Sequence, residues 1–138
     1  MLDLESEFGK RADARLRREV ICWLTTIRPD GTPVPVPVWF LWDGSSIVIF
    51  SQPETGKIRN LAHSPRAAVN LNSSPGGGEI VVLRGEAHVD RSIAPADATP
   101  AYREKYHAEI AGLGMTPASF ALDYSVPIRF APEKITGF

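Results

Sequence analysis

A lysine near the start of a predicted helix is the residue of this sequence best placed for binding chemistry. Residues 50–61 predict a strand that runs directly into a helix, with Thr55 as the N-cap and Lys57 close behind it. Free backbone N–H groups and the positive end of the helix dipole make such a junction a good anion site. Lysine is unfavourable there unless an anion lies between its ammonium group and the helix end. The junction is therefore a candidate anion site. Judged by spacing alone, however, a lysine at this position is more often a solvated residue on an ordinary helix.

Other residues that could bind a metal ion or a phosphate form no recognisable pattern. His63, His88 and His107 have no carboxylate or cysteine at ligand spacing, so no metal site is expected. The glycines at 76–78 lead into another strand rather than a helix, so they lack the context of a phosphate-binding loop. No catalytic residue can be assigned from the pattern.

Three tyrosines are candidates for a proton donor: Tyr102, Tyr106 and Tyr124. Tyrosines that simply pack a helix against its neighbours are commoner than tyrosines that donate a proton. Both interpretations stay open at this point.

Composition narrows the class of protein. The 138 residues are 43% apolar, which is enough for one domain with an ordinary core. Fifteen basic and sixteen acidic residues give a net charge of −1, which argues against binding to nucleic acid or to an anionic membrane. The lone Cys22 cannot form an internal disulfide, and the longest apolar run, at 38–42, is too short to span a bilayer. Because the first residues are mostly charged and unlike a signal peptide, we expect a cytoplasmic protein.

The order of predicted elements indicates a single domain, 1–138, that is mainly β with flanking helices. An N-terminal helix occupies 1–19 (its apolar spacing spans 4–18), and barrel strands fill 20–91 around a helix at 56–63. Helices follow at 95–124, and closing strands at 126–138 divide into 126–131 and 134–138. Six or seven strands joined mostly as hairpins favour a closed or nearly closed antiparallel barrel.

Two strands carry further information. Residues 33–38 alternate proline with valine, and because proline cannot donate a hydrogen bond, this strand is expected at a sheet edge. In the long strand predicted at 79–90, Gly85 suggests a β-bulge or a bend.

Four sequence blocks give this chain its resemblance to a known superfamily. They are Leu24 to Gly31, Pro37 to Phe40, Gly56 to Leu61 and Ser64 to Arg66. In order and spacing they resemble the pyridoxamine 5′-phosphate oxidase-like split barrels, in particular the branch of flavin- and deazaflavin-dependent oxidoreductases. The resemblance implies a six- or seven-stranded antiparallel split β-barrel of the FMN-binding type. It also implies a homodimer with two equivalent sites at its interface.

The resemblance further implies a set of cofactor-binding residues. The segment Val36, Pro37, Val38, Trp39 and Phe40 matches positions along the flat ring of the cofactor. The residues that match positions around the phosphate-bearing tail, or stand beside them, are Phe50, Ser51, Gln52, Lys57, Ile58 and Asn60.

Two departures from the family bear on cofactor and reaction. Relatives that oxidise pyridoxamine phosphate with FMN place an arginine directly before the lysine, where this chain has Gly56. They also carry an Arg and His pair near the C-terminus, whereas residues 128–132 of this chain contain no histidine. The resemblance therefore implies coenzyme F420, with hydride transfer from the reduced deazaflavin to a small electron-poor substrate. The alternatives are an FMN-dependent oxidoreductase and a non-catalytic binder of flavin, haem or another tetrapyrrole.

Overall fold

Seven antiparallel strands form a single curled sheet in the computed structural model, which describes residues 2–138. The strands are β1 (Ile21–Ile27), β2 (Pro33–Trp39), β3 (Leu41–Trp42), β4 (Ile47–Ser51), β5 (Arg66–Asn70), β6 (Val81–Val89) and β7 (Val126–Gly137). Their order across the sheet is β2-β1-β5-β6-β7-β4-β3. The predicted mainly-β split-barrel fold of six or seven antiparallel strands is confirmed, and it takes the form of a seven-stranded half-barrel with flanking helices.

The proline-valine strand lies at an edge of the sheet, as predicted. β2 pairs only with β1, in a register that sets Val36 opposite Leu24 and Pro37 opposite Trp23. The side chains of Pro33, Pro35 and Pro37 are exposed, whereas those of the intervening valines are half-buried. The strand thus turns one face of alternating side chains toward the protein and leaves the prolines in solvent.

The C-terminal segment is one strand rather than the two predicted. β7 continues through Pro132 because the sheet absorbs one extra residue there: Arg84 lies opposite Lys134, whereas Gly85 lies opposite Pro132, so Glu133 is unpaired. The bulge predicted at Gly85 is present, with its extra residue on the partner strand. A Cβ atom at the glycine would lie 2.1 Å from a backbone carbonyl oxygen of β7, which is why glycine is needed.

Two predicted elements are shorter than expected. The first helix, α1 (Glu7–Arg18), begins at Glu7 rather than residue 4 because the Ser6 hydroxyl caps it by accepting a hydrogen bond from the Gly9 N–H at 3.0 Å. The long strand begins at Val81 rather than 79 because Glu79 has a φ of 55°. That left-handed conformation is incompatible with a strand.

The remaining helices are α2 (Gly56–His63), α3 (Pro100–Gly112) and α4 (Pro117–Asp123), with a 3₁₀ turn at Ala96–Ala98. The predicted start of α4 is confirmed by a capping box between Thr116 and Ser119. Within residues 2–138, no helix combines the length and the apolar character that crossing a membrane requires.

The core has two parts. One lies between α1 and the inner face of the sheet and includes Leu16, Leu24 and Phe130. The other lies where α3 and α4 pack on β4, and its fully buried members include Tyr102 and Tyr106. The second part is rich in aromatic rings and forms one side of the candidate site.

Candidate functional site

A cavity of about 350 Å³ lies between the sheet edge, the start of α2, and the helices α3 and α4. Seven of the eleven residues expected at a cofactor site line it: Pro37, Val38, Trp39, Phe50, Ser51, Gln52 and Lys57. Its size falls in the range of small-molecule pockets. The structure therefore brings most of the predicted residues to one place, and their role as cofactor contacts stays a prediction.

The other four expected residues do not line the cavity. Phe40 is fully buried in the core, and Ile58 packs against the same core. The Asn60 side chain is buried and its Nδ2 donates to Thr26 Oγ1 at 3.0 Å. Val36 occupies a half-buried position in β2. These four residues are close in sequence to residues that line the cavity, but their own side chains contribute to the packing of the strands and α2.

Lys57 is a cation without a counter-charge among the residues that the structure describes. It is half-buried in the cavity wall, and within residues 2–138 its ammonium group has neither a hydrogen-bond nor an ion-pair partner. Burial lowers the pKa of Lys57 below its ordinary value. A half-buried charge that lacks a partner is unfavourable, and an anion from outside the chain would offset that cost.

The start of α2 adds to this positive character. Thr55 is the N-cap residue, as predicted, but its side chain makes no capping hydrogen bond. Its Oγ1 instead lies 3.2 Å from Ser51 Oγ, which is also 2.8 Å from the Gln52 carbonyl oxygen. The first turn of α2 holds no acidic residue. The free N–H groups of the helix are therefore available beside Lys57.

The loop between β4 and α2 holds an unusual backbone conformation. Glu54 has a φ of 61°, in the left-handed region that costs free energy for a residue other than glycine. The Arg59 guanidinium donates to the Glu54 carbonyl oxygen at 2.5 Å and so ties the loop to the helix that follows. Non-glycine residues in this region are often found at ligand-binding loops.

Aromatic residues from distant parts of the chain form the opposite wall. Trp39 stacks on Tyr106, with ring centroids 4.9 Å apart, and on Phe120 at 5.5 Å. Phe120 in turn stacks on Tyr124 at 4.3 Å. Trp39 is expected along the ring of the cofactor, whereas Phe120 and two further lining residues, Ile21 and Leu113, are not expected at the site from the sequence. No local pattern could have found Leu113 and Phe120, because they reach the cavity only when α3 and α4 pack on the sheet, whereas Ile21 reaches it by pairing with Trp39 in the β1–β2 hairpin.

The three tyrosines proposed as proton donors have different surroundings. Tyr102 and Tyr124 line the cavity, whereas Tyr106 does not. The Tyr106 hydroxyl accepts from the Phe40 N–H at 2.7 Å and lies 2.7 Å from the Val20 carbonyl oxygen and 2.9 Å from that of Phe40. A hydroxyl so fully engaged joins α3 to the sheet, and we assign Tyr106 a structural role.

Two other residues whose side chains could take part in binding or catalysis, Arg129 and Cys22, are also structural. Arg129, near the C-terminus, is held by Asp90 at 3.0 Å and Ser46 at 2.7 Å, so it is not free to bind a substrate phosphate. Cys22 is fully buried, and burial raises its pKa to about 12. In the described part of the chain, no group of three His, Cys, Asp or Glu residues is placed to hold a metal ion.

The fold and this cavity define a split β-barrel with an aromatic pocket beside a positively charged helix end. The chain belongs to the pyridoxamine 5′-phosphate oxidase family, whose model matches residues 8–137. A comparison with curated proteins gives no match. Because the structure is that of one chain, the expected homodimer stays a prediction.

Solved structures share the fold over nearly their whole length. An F420 reductase is 25% identical, with a TM-score of 0.69 over 90% of this chain and 94% of its own. An FAD-binding protein from Mesorhizobium loti is 18% identical, with a TM-score of 0.66 over 92% and 91%. The haem storage protein HutZ from Vibrio cholerae is 11% identical, with a TM-score of 0.65 over 96% and 95%. The last two likenesses concern the fold alone.

Proposed function

We propose that this protein binds a phosphate-bearing flavin-type cofactor in the cavity, with coenzyme F420 as the preferred cofactor, and acts as an oxidoreductase. The observation that carries the proposal is the half-buried Lys57, which has no partner within residues 2–138 and lies beside the uncapped start of α2. An ammonium group and free helix N–H groups together are suited to a phosphate group.

The other side of the cavity supports a flat ring. Trp39, Phe50 and Phe120 line it with aromatic rings, and aromatic walls with a few polar groups are typical of sites for heteroaromatic ligands. A ligand with a charged tail and a flat ring would thus meet a suitable surface at each end. Lys57 and Ser51 would hold the tail, and the aromatic residues would orient the ring and exclude water.

The preference for F420 over FMN rests on Gly56. The FMN-dependent relatives that the sequence resembles have an arginine at this position, and its absence leaves a single cation for the tail. The likeness to an F420 reductase at 25% identity supports the same choice.

When bound, a reduced deazaflavin would supply a hydride to a small electron-poor organic substrate. The chain itself would contribute binding, orientation and exclusion of water. Burial lowers the pKa of Lys57 and raises the pKa of Tyr102. The raised pKa keeps the tyrosine protonated at neutral pH, so Tyr102 would act as a hydrogen-bond donor rather than as a general base.

The test is equilibrium dialysis of the protein against F420 and, separately, against FMN. Replacing Lys57 by Met removes the charge while keeping a similar chain length, and we expect it to weaken binding by about 1 to 3 kcal/mol. Lys10→Met is the matched control, since this exposed lysine of α1 lies outside the cavity and its loss changes the net charge equally.

The outcomes separate the alternatives. Binding of F420 that weakens in Lys57→Met but not in Lys10→Met supports the proposal, and equal affinity in both variants removes Lys57 from the site. Tight binding of FMN alone would replace F420 by FMN. Saturable binding of F420 without oxidation of its reduced form by quinones or unsaturated carbonyl compounds would make the protein a non-catalytic binder.

A further inference from the structure

Two tyrosines four residues apart on α3 have opposite hydrogen-bonding states. The Tyr106 hydroxyl has three polar neighbours within 2.9 Å. The Tyr102 side chain is fully buried, and its hydroxyl has no hydrogen-bond partner anywhere in residues 2–138. It is the one buried side-chain polar atom in this part of the chain that lacks a partner.

The surroundings of Tyr102 explain why its hydroxyl has no partner. The Phe50 ring meets the Tyr102 ring edge-on at a centroid distance of 4.8 Å, and the rings of Tyr106 and Phe120 lie at 4.8 Å and 6.1 Å. All of these contacts would also be made by a phenylalanine. Because an unsatisfied buried hydroxyl destabilises the folded chain, the oxygen atom is unfavourable for folding alone.

The position of Tyr102 suggests what the hydroxyl serves. Tyr102 lines the same cavity as Lys57 and Trp39. Desolvation raises the pKa of Tyr102, so the hydroxyl keeps its proton and is available as a donor. Polar groups placed singly in an otherwise apolar pocket commonly fix the orientation of a ligand.

We propose that Tyr102 is a ligand-binding residue, whose hydroxyl donates a hydrogen bond to a carbonyl oxygen or ring nitrogen of the heteroaromatic ring held in the cavity. The inference rests on the proposed function, since it assumes that the cavity takes a flat, polar-edged ring with its anionic tail at Lys57. It adds a specificity element to that site: a ring without an acceptor atom at this position leaves the buried hydroxyl unsatisfied and is selected against.

The experiment compares Tyr102→Phe with Tyr106→Phe. Both variants lose one hydroxyl from the same helix, and each is measured without ligand by urea unfolding and with F420 and FMN by equilibrium dialysis. We expect ligand-free Tyr102→Phe to unfold at the same or a higher urea concentration than the wild type. We also expect its affinity for the probe that the wild type binds to fall about tenfold, as for the loss of a buried hydrogen bond. Tyr106→Phe should instead lose stability.

The two variants should differ in stability, because only Tyr106→Phe is expected to lose it. If Tyr102→Phe binds as tightly as the wild type, or if it loses stability as Tyr106→Phe does, the hydroxyl already has a partner in the folded chain or in trapped water, and the inference is overturned. If the wild type binds neither probe, the proposed function fails and the inference fails with it. Binding by the wild type with a loss confined to Lys57→Met would leave the proposed function intact and remove Tyr102.

Discussion

The hydroxyl of Tyr106 joins α3 to the sheet at the point where β2 ends. The hydrogen bonds lost on its removal set the expected decrease in the free energy of unfolding. In Tyr106→Phe, the Phe40 N–H loses its acceptor at 2.7 Å, and Phe40 is a fully buried residue. A buried N–H group without a partner costs about 1 to 3 kcal/mol. The Phe40 carbonyl oxygen is less affected, because it keeps the Lys105 Nζ at 2.8 Å.

Adding the loss of the bond that the hydroxyl itself donates, we expect the free energy of unfolding to fall by about 2 to 3 kcal/mol. For a chain of 138 residues this corresponds to a decrease in Tm of roughly 6 to 12 °C. The assay is urea unfolding, followed by circular dichroism and by tryptophan fluorescence at one protein concentration. An unchanged m-value would show that the change lies in stability and not in the extent of unfolding.

The result that refutes this reasoning is a loss below about 0.5 kcal/mol, the lower limit for one hydrogen bond. It would mean that the Phe40 N–H finds another acceptor, so that Tyr106 does not join α3 to the sheet. A spectroscopic consequence accompanies the loss: since Trp39 stacks on Tyr106, its fluorescence should change before global unfolding if α3 separates locally from β2.

Two further predictions concern the sheet and the pH dependence of stability. Gly85→Ala should destabilise the protein by at least about 2 kcal/mol in thermal unfolding, because the new Cβ would meet the backbone of β7 at 2.1 Å. Gly112→Ala is the control: with open space around it, this change should be neutral or stabilising by up to about 1 kcal/mol. Burial lowers the pKa of Lys105 from 10.5 to about 8, so the unfolded chain binds more protons between these values and the contribution of this group to stability rises with pH from 8 upward. The difference in unfolding free energy between wild type and Lys105→Met should therefore grow in favour of the wild type from pH 7.5 to pH 9.5, about the window of that shift. A constant difference would contradict the lowered pKa of Lys105.

The sequence predicts those features that local chemistry decides. Proline at 33, 35 and 37 removes backbone donors, and this alone places β2 at an edge. The start of α2 is also local, since Thr55, Gly56 and the apolar spacing after them specify a helix N-terminus. The predicted helix start beside Lys57 is therefore found in the right segment, and the anion site itself stays a prediction.

The aromatic wall could not be predicted in the same way, because it depends on contacts between distant segments. The Tyr106 hydroxyl and the Phe40 N–H are 66 positions apart. Which side chains of α3 face Trp39 is decided by how the helix packs on the sheet. The same limitation explains Asn60: it follows Lys57 by three residues in α2, yet its side chain points to Thr26 in the sheet rather than to the cavity.

The residues that line the cavity also bear on the proposed choice between a flavin-type cofactor and haem. Haem iron is held in proteins by His, Cys, Met or Tyr side chains, and within residues 2–138 only tyrosine among these lines the cavity. The histidines at 63, 88 and 107 are exposed and lie outside it, and Cys22 is inert in the core. A ligand with its negative charge at one end and an uncharged flat ring at the other matches the ammonium group of Lys57 and the aromatic wall. Under the proposed function, the cavity suits a flavin-type cofactor better than haem, and the likeness to a haem storage protein concerns the fold alone.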